Sequence, residues 1–389
     1  MSDSQHNLSI PPRYEHITRA SREHIEELKK FNFDGIVKLV AFPEAVQAAP
    51  PYQMLSDPTE NEIHSVRHHA KYSGHVSDIG LYFTTNAKIR GSGYVVKDGK
   101  RLYGPDLIPD YVEAAIDNGS FEELNNDRQR SEVHISKPTA LLCNEGYLIY
   151  GHWLVDLIPK AWMFFSQFGT VPDDIIYPFC DDVPEYGLNM LSMVFGMPRD
   201  NILIYNNRTD DLCVDKLVVP SLMHNNHIFH PAAAQAIAFV RDKVLQHEIR
   251  SDTSKKASRI YVSRQKFRNK SISSKRFIDN EDELIFIAKS SGFDVIYPEE
   301  HSWAEQVRIF SDAKLIIGEA GSGMHNTLFS SSDAHVLSIC DSQLQGTLAA
   351  LLGQKLTLIG PEKAYWEENT MHFHINAERF AKAVQLITS

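Results

Sequence analysis

In the second half of the chain, short apolar runs alternate with segments of helical period. RIYVS (Arg259 to Ser263) predicts a strand, and NEDELIFIAKSSG predicts a helix opened by Asn280 and closed by Gly292. FDVIYP predicts a strand, SWAEQVRIFSDA a helix whose Ser302 and Glu305 have capping-box spacing, and KLIIG a further strand. A glycine-rich loop then leads into a short helix from about Gly323, the strand HVLSIC, the helix SQLQGTLAALLG and the strand KLTLIG. Strands that are apolar throughout and alternate with helices predict a parallel sheet covered on both faces.

From Glu132 to Ser221 the same rhythm is less regular. LIY leads into GHWLVDLIPKAWMFFSQFG, DIIYPF into PEYGLNMLSMVFG, and NILIYN precedes CVDKLVVPS, which predicts a second α/β layer sandwich with Pro220 to Pro231 as linker. LYFTTN and GYVVKDGKRLYG predict a hairpin or small antiparallel sheet elaborating the first domain, and AERFAKAVQLIT a last amphipathic helix. A length of 389 residues exceeds what one core usually serves, so two domains are expected. The boundaries read as 1–225, 226–365 and a C-terminal helix within 366–389 that has the option of packing back on the first domain.

Composition narrows the class. Four cysteines without C-x-x-C spacing fit reduced thiols better than a disulfide frame or zinc site, and a net charge of −11 argues against nucleic acid as the main partner. The first residues carry no basic-then-apolar leader, and the most apolar stretch, Tyr147 to Phe165, is interrupted by His152, Asp156 and Lys160. A cytoplasmic protein without a transmembrane segment is the expectation, with peripheral association at the inner membrane face and a homodimer both left open. The charge is uneven, because Thr253 to Ile278 holds no Asp or Glu yet carries Lys255, Lys256, Arg259, Arg264, Lys266, Arg268, Lys270, Lys275 and Arg276. Either an anion is met there or the run is a solvated loop.

Two stretches carry chemistry. In IIGEAGSGMHNTLFSS, Gly321 and Gly323 let backbone approach a ligand, Ser322 offers a hydroxyl and an N-cap, and a helix N-terminus favours an anion. The spacing is neither G-x-G-x-x-G nor a Walker A, but the loop follows a strand at the carboxyl rim of a parallel sheet, where open α/β sheets bind ligands. Arg264 follows another strand of the same sheet. In GHWLVDLIPK, a helix would put His152, Asp156 and Lys160 on one face, with Trp153, Leu157 and Ala161 beside them, although Pro159 should distort the turn. A histidine oriented by a carboxylate is a general base near neutral pH; the competing reading is a structural histidine beside a buried Trp.

Taken together, YGHWLVDLIPKAW, Tyr261 with Ser263 and Arg264, Asn280 with Glu281, AEQVRIFSDAKLIIGEAGSGMHNTLF and AHVLSIC resemble glycosyltransferase family 61, with its H-W-x-x-D-x-x-P, Y-x-S-R, N-E and G-x-x-G-x-x-x-x-N-x-x-F order. The resemblance runs from about Tyr147 to Cys340. It implies an inverting transferase of α/β, GT-B-like architecture, in which two Rossmann-like domains face across a cleft, the second holding a nucleotide-sugar donor and the first a glycan or glycolipid acceptor. Carried over by position, His152, Trp153 and Asp156 fall on the first motif, Ser263 and Arg264 on the second, and Gly318, Gly321 and Asn326 on the last. Ala320 stands where many eukaryotic members have histidine, with His325 just before the motif asparagine. This suggests a bacterial-type member and an acceptor in a surface polysaccharide such as lipopolysaccharide core, O-antigen or capsule.

The expected site is therefore His152 and Asp156 for catalysis, with Ser263, Arg264, Arg268, Gly321, Ser322, Gly323, His325 and Asn326 on a donor whose first candidate is UDP-linked. Glu145 and His230 are the reserve bases, and Glu299, Glu300 and Glu319 are candidate sugar-hydroxyl contacts. No cofactor and no metal are expected, because no two aspartates are separated by one residue, as diphosphate-clamping metal sites commonly require. Two alternatives stand beside this: a non-catalytic sugar-nucleotide or glycan-binding protein, and a metal-dependent phosphohydrolase using His64, His68, His69 and His75 or His224, His227 and His230.

Overall fold

A computed structural model describes residues 12–117, 129–169, 174–248, 257–268, 276–368 and 370–389. The chain forms two compact units, one from the described residues up to Ala45 with Val76–Asn226, the other from Val46–His75 with His227–Ser389.

In the second unit, five strands lie in the order Asp294–Ile296, Arg259–Val262, Leu315–Glu319, His335–Ile339, Lys355–Ile359, and every neighbouring pair is parallel. Counted along the chain this is 2-1-3-4-5, a doubly wound order whose direction reverses between Arg259–Val262 and Leu315–Glu319. The strands' apolar runs are buried, with Tyr261, Ile317, Leu337 and Ile359 in one cluster with Leu284, Phe380 and Val384. The Ser302–Glu305 capping box is present at the helix Trp303–Asp312. Asn280 flanks its helix but does not cap it: its amide is tied to Ile375 by a donated and an accepted hydrogen bond of 2.8 and 3.1 Å.

The C-terminal helix Ala377–Thr388 belongs to the second unit. Phe380, Ala383, Val384 and Ile387 fall on one face, and that face is buried in the second unit's own core, because the apolar side of the helix Glu281–Ser290 is there to receive it. Residues 46–75 also depart from the expected 1–225 domain. Their helix Glu60–His69 opens with a Thr59–Glu62 capping box, and Glu62, almost wholly buried, accepts from Gly360 N at 3.0 Å and from Arg379 Nη2 at 2.7 Å. A buried carboxylate needs such partners, and they stand in the second unit.

The first unit is mixed rather than doubly wound. Its main sheet runs Ile17–Ala20, Ile36–Phe42, Ile79–Arg90, Asp210–Pro220, Ser131–Ile135, with parallel outer pairs and antiparallel pairs on both sides of Ile79–Arg90. The segment expected to be a β-rich elaboration therefore supplies the sheet's centre: Ile79–Arg90 is 12 residues long and lies against the 11-residue Asp210–Pro220. Ser131–Ile135 is the outer strand, exposed at every residue but Ile135. The helix Ile158–Phe168 covers the sheet, and Glu185–Phe195 packs beside it.

Removing Arg379 takes away the cation paired with Glu62 and leaves its carboxylate to the backbone N–H groups of Thr59 and Gly360. Arg379→Met is expected to cost about 2–3 kcal/mol, the lower end for a broken buried pair because the arginine keeps a fifth of its surface exposed; urea melts against wild type measure it.

Candidate active site

The stretch from Tyr150 departs from a plain helix. One α-turn, Tyr150–His152, is followed by a five-residue π-turn, Trp153–Leu157, in which Ile158 N–H bonds to Trp153 O, before the α-helix Ile158–Phe168. Pro159 supplies the reason. It has no N–H to give to the carbonyl four residues back, its ring crowds that carbonyl, and a widened turn upstream relieves both. Trp153 fixes the turn: it is fully buried, donates Nε1–H to Tyr147 O at 2.6 Å and stacks on Phe179. A Cβ on Gly187 would stand 2.2 Å from its ring, so the neighbouring helix is bare where the indole lies.

In the same turn, Asp156 is buried between two imidazoles. His152 Nδ1 bonds to Oδ2 at 2.5 Å and His224 Nε2 to Oδ1 at 2.6 Å. With the carboxylate accepting, His152 is a donor at Nδ1, and Nε2 is the ring nitrogen left for chemistry. His152 keeps 29% of its side chain exposed against 5% for His224, so His152 is the member of the triad that can meet a substrate. Burial works against the Asp156 charge, but the two imidazole hydrogen bonds prevail and hold the carboxyl well below its ordinary range. Burial likewise opposes charge on His152, yet the bond and charge of Asp156, with Glu145 beyond, raise its pKa.

Around the triad, Lys160 is buried, donates to Cys143 O at 3.3 Å and is pushed down to about 8 by burial. Glu145 is raised, first by burial and then by the Asp156 charge. Lys160 and Glu145 line one small cavity with Cys143, Asn144 and Gly93. Gly146 lies against His152, where a Cβ would come within 2.5 Å of Cγ. His224 was foreseen only as a member of a histidine cluster; its 68-residue separation from Asp156 leaves no local signal. His230 is buried in the second unit and its Nδ1 accepts from Ala232 N, so it is not part of this triad.

The other constellation sits at the topological switch point of the second unit. Arg264, two residues past Val262, donates Nη1–H to Glu319 Oε1 at 3.0 Å, and Arg276 donates Nη2–H to Ala320 O at 3.1 Å. Both guanidinium groups stand 3.4 Å from where a Cβ of Gly321 would be, so two cations converge on this glycine. Arg276 was read only as one of the basic run. A 3-10 helix, Ser322–Phe329, follows, and its flanking residue is Gly321: Ser322 is its first residue and not a cap. The first N–H groups of such a turn have no partner within it. Gly318 lets the turn close on the strand, since a Cβ there would lie 2.4 Å from Met324 Sδ.

The remaining expected donor residues are inward. Ser263 is fully buried and donates to Glu281 Oε1 at 2.8 Å, which joins the second and third sequence motifs as one structural tie. Asn326, also fully buried, donates to Gln306 Oε1 and Gly323 O, and His325 is buried beside it. These residues shape the loop. Of the carboxylates, Glu319 holds Arg264 and Glu300 holds Lys266. The side chain of Arg268, with Lys255, Lys256, Lys270 and Lys275, lies outside the described residues. Among the described residues neither histidine cluster gathers three metal-ligand atoms; Glu132, His134 and Cys213 alone do, on the outer edge of the first unit's sheet. Among them, too, no helix is long and apolar enough to cross a membrane.

Residues 150–337, which hold the π-turn, the triad's His152 and Asp156, and the whole switch-point loop, match the family model described as Glycosyltransferase 61. No curated protein matches the chain.

The raised His152 pKa depends on a geometry that Gly146 permits. In NMR titration His152 is expected to titrate above the ordinary value of about 6.5, and Asp156→Asn or Gly146→Ala should bring it down. The sign for stability follows: the His152 contribution is complete below about pH 6.5 and fades as pH rises through the higher folded pKa, whereas that of Asp156 is complete above about pH 4 and fades in acid. A His152 that titrates identically in all three proteins would break the triad.

Proposed function

We propose that this chain, whose residues 150–337 match the Glycosyltransferase 61 family model, is a glycosyltransferase of that family that transfers a sugar with inversion from a nucleotide-sugar donor, UDP-linked as first candidate, to a glycan hydroxyl. The observation that carries this is the Asp156 carboxylate shared by His152 and His224, which leaves His152 Nε2 as a base. Nε2 takes the proton of the acceptor hydroxyl as its oxygen bonds to the anomeric carbon. The bond from that carbon to the diphosphate oxygen breaks, and the electron pair leaves with the diphosphate. Inversion follows from a single displacement with base and leaving group on opposite faces of the sugar.

The leaving charge is met in the second unit by Arg264, Arg276 and the first N–H groups of the Ser322–Phe329 turn, donors fixed before the reaction begins. Arg264 offers a planar fork suited to phosphate that lysine cannot copy. A GT-B-type reaction, with acceptor on the first unit and donor on the second, is the arrangement this division of chemistry asks for. The bacterial character of the motif, with Ala320 in place of histidine, favours an acceptor in a surface polysaccharide. These fixed cations support a reaction that needs no metal.

Thermal shift against a panel of nucleotide sugars identifies the donor, and transfer is then followed with and without EDTA. Transfer is expected to persist in excess EDTA; activity abolished by EDTA and restored by manganese or magnesium would overturn metal independence. Arg264→Lys should weaken nucleotide binding by ~1–3 kcal/mol, read by calorimetry, whereas His152→Ala should leave that affinity near wild type and cut turnover by ~100-fold or more.

A base that must be neutral sets a pH dependence. kcat/KM is expected to rise with pH along a limb set by His152, above the ordinary imidazole value, and Asp156→Asn should move that limb to lower pH while lowering its plateau. A limb unmoved by Asp156→Asn would assign the base elsewhere, with Glu145 the nearest candidate.

A further inference from the structure

We propose that Asp341 is a hydroxyl-binding residue of the donor site, held ready to accept hydrogen bonds from a sugar of the nucleotide-sugar. The inference rests on the donor reading given above. Asp341 lies two residues past the strand His335–Ile339, the direct neighbour of Leu315–Glu319, so it rises on the same carboxyl rim as the Gly321 loop. The two strand ends are joined there, since Ala320 N–H bonds to Ile339 O at 2.9 Å. Cys340, between Ile339 and Asp341 in the chain, is buried, and its thiol is pushed up first by burial and then by the charge of Glu319. Cys340 itself is held at φ 65°, a left-handed turn that redirects the chain at this point.

The carboxylate is held from behind. His69 Nε2 bonds to Oδ1 at 2.8 Å and Ser65 Oγ–H to Oδ2 at 2.9 Å. His69 is almost wholly buried, and its Nδ1 is in a short contact with the Tyr52 hydroxyl. Tyr52 belongs to a segment tied to the sheet, with the next residue's N–H bonded to Leu356 O at 2.7 Å. The helix Gln343–Leu352 is bare where this relay passes, because a Cβ on Gly346 would stand 2.8 Å from Tyr52 Oη. A phenol donating to Nδ1 fixes the tautomer with the proton on Nε2, pointed at the carboxylate.

The His69 imidazole is buried and the Asp341 side chain is 51% exposed, with one acceptor site on each oxygen used and about two remaining. A carboxylate repels phosphate and accepts hydrogen bonds, so within a nucleotide-sugar bound at the proposed donor loop the groups it can take are the sugar hydroxyls. The ribose and the transferred sugar share that chemistry.

Calorimetry separates them, using wild type, Asp341→Asn and Ser65→Ala with inorganic pyrophosphate, UDP and GDP, their 2′-deoxy and 3′-deoxy forms, and the intact nucleotide sugars. Asp341→Asn is expected to weaken nucleotide or nucleotide-sugar binding tenfold or more while pyrophosphate binds as well or better, and Ser65→Ala, on the exposed side of the relay, should give a several-fold loss in the same direction. A loss already present with UDP or GDP, and erased with a deoxy analogue, assigns the ribose; a loss seen only with the intact donor assigns the transferred sugar. Equal affinity of wild type and Asp341→Asn for every nucleotide and nucleotide sugar overturns the proposal alone. A wild type that binds neither pyrophosphate nor any nucleotide overturns the donor reading beneath it.

Discussion

A buried carboxylate must be answered, and Asp156 is answered twice. Taking an ionised carboxyl out of water is tolerable only with hydrogen-bond partners of matching charge or polarity, and both oxygens of Asp156 have one, at 2.5 and 2.6 Å. The requirement organises its surroundings. It sets the rotation of the His152 turn, draws the chain at residue 224 to the same point, and gives Gly146 its identity, since no other residue leaves room for the imidazole. The π-turn imposed by Pro159 and anchored by Trp153 presents Asp156 to both histidines, so a proline that breaks the helical rule builds the site.

The second unit solves an electrostatic problem of opposite sign. A doubly wound sheet leaves a crevice where its strand order reverses, and in this chain the residues just past the two strands at that reversal are Arg264 and Gly321. Glu319 is a carboxylate beside the proposed anion site. It is nearly inaccessible and bonded to Arg264, so it costs the site part of its positive charge and in return fixes where the guanidinium points. Preorganised donors need no rearrangement as charge develops, which is worth more to catalysis than a larger but mobile cation count.

The parallel sheet was legible because continuous apolar runs such as KLIIG and HVLSIC have one common solution, and the Ser302–Glu305 box carried its own local chemistry. The glycine loop was legible for the same reason: position after a strand, spacing and missing side chains are all local. What escaped depends on partners far away in the chain. His224 has no sequence feature to tie it to Asp156. Residues 46–75 read as part of the first domain because nothing near Glu62 announces that Arg379, 317 positions on, will receive it. Ser263 and Asn326 were legible as motif residues but not as inward ones, since a hydroxyl or amide has the same letter whether it meets a ligand or a neighbour. The antiparallel centre of the first unit was misread because Ile79–Arg90 finds its partner in Asp210–Pro220, more than a hundred residues later.

In the proposed reaction, sharing Asp156 between two imidazoles also sets how His152 serves as base. A carboxylate bonded to His152 alone would bring its full negative charge to bear on one ring, raising basicity but keeping that ring protonated, and so unable to accept a proton, over more of the neutral range. His224 occupies the other oxygen, Oδ1, at 2.6 Å, so the carboxylate does not face His152 alone. The raised pKa of His152 is the balance of burial, which opposes its charge, against the bond and charge of Asp156 and the charge of Glu145, which favour it. Strength as a base and availability as a base pull in opposite directions, and a shared carboxylate is a way to set the point between them without losing the orientation that a single proton on Nδ1 provides.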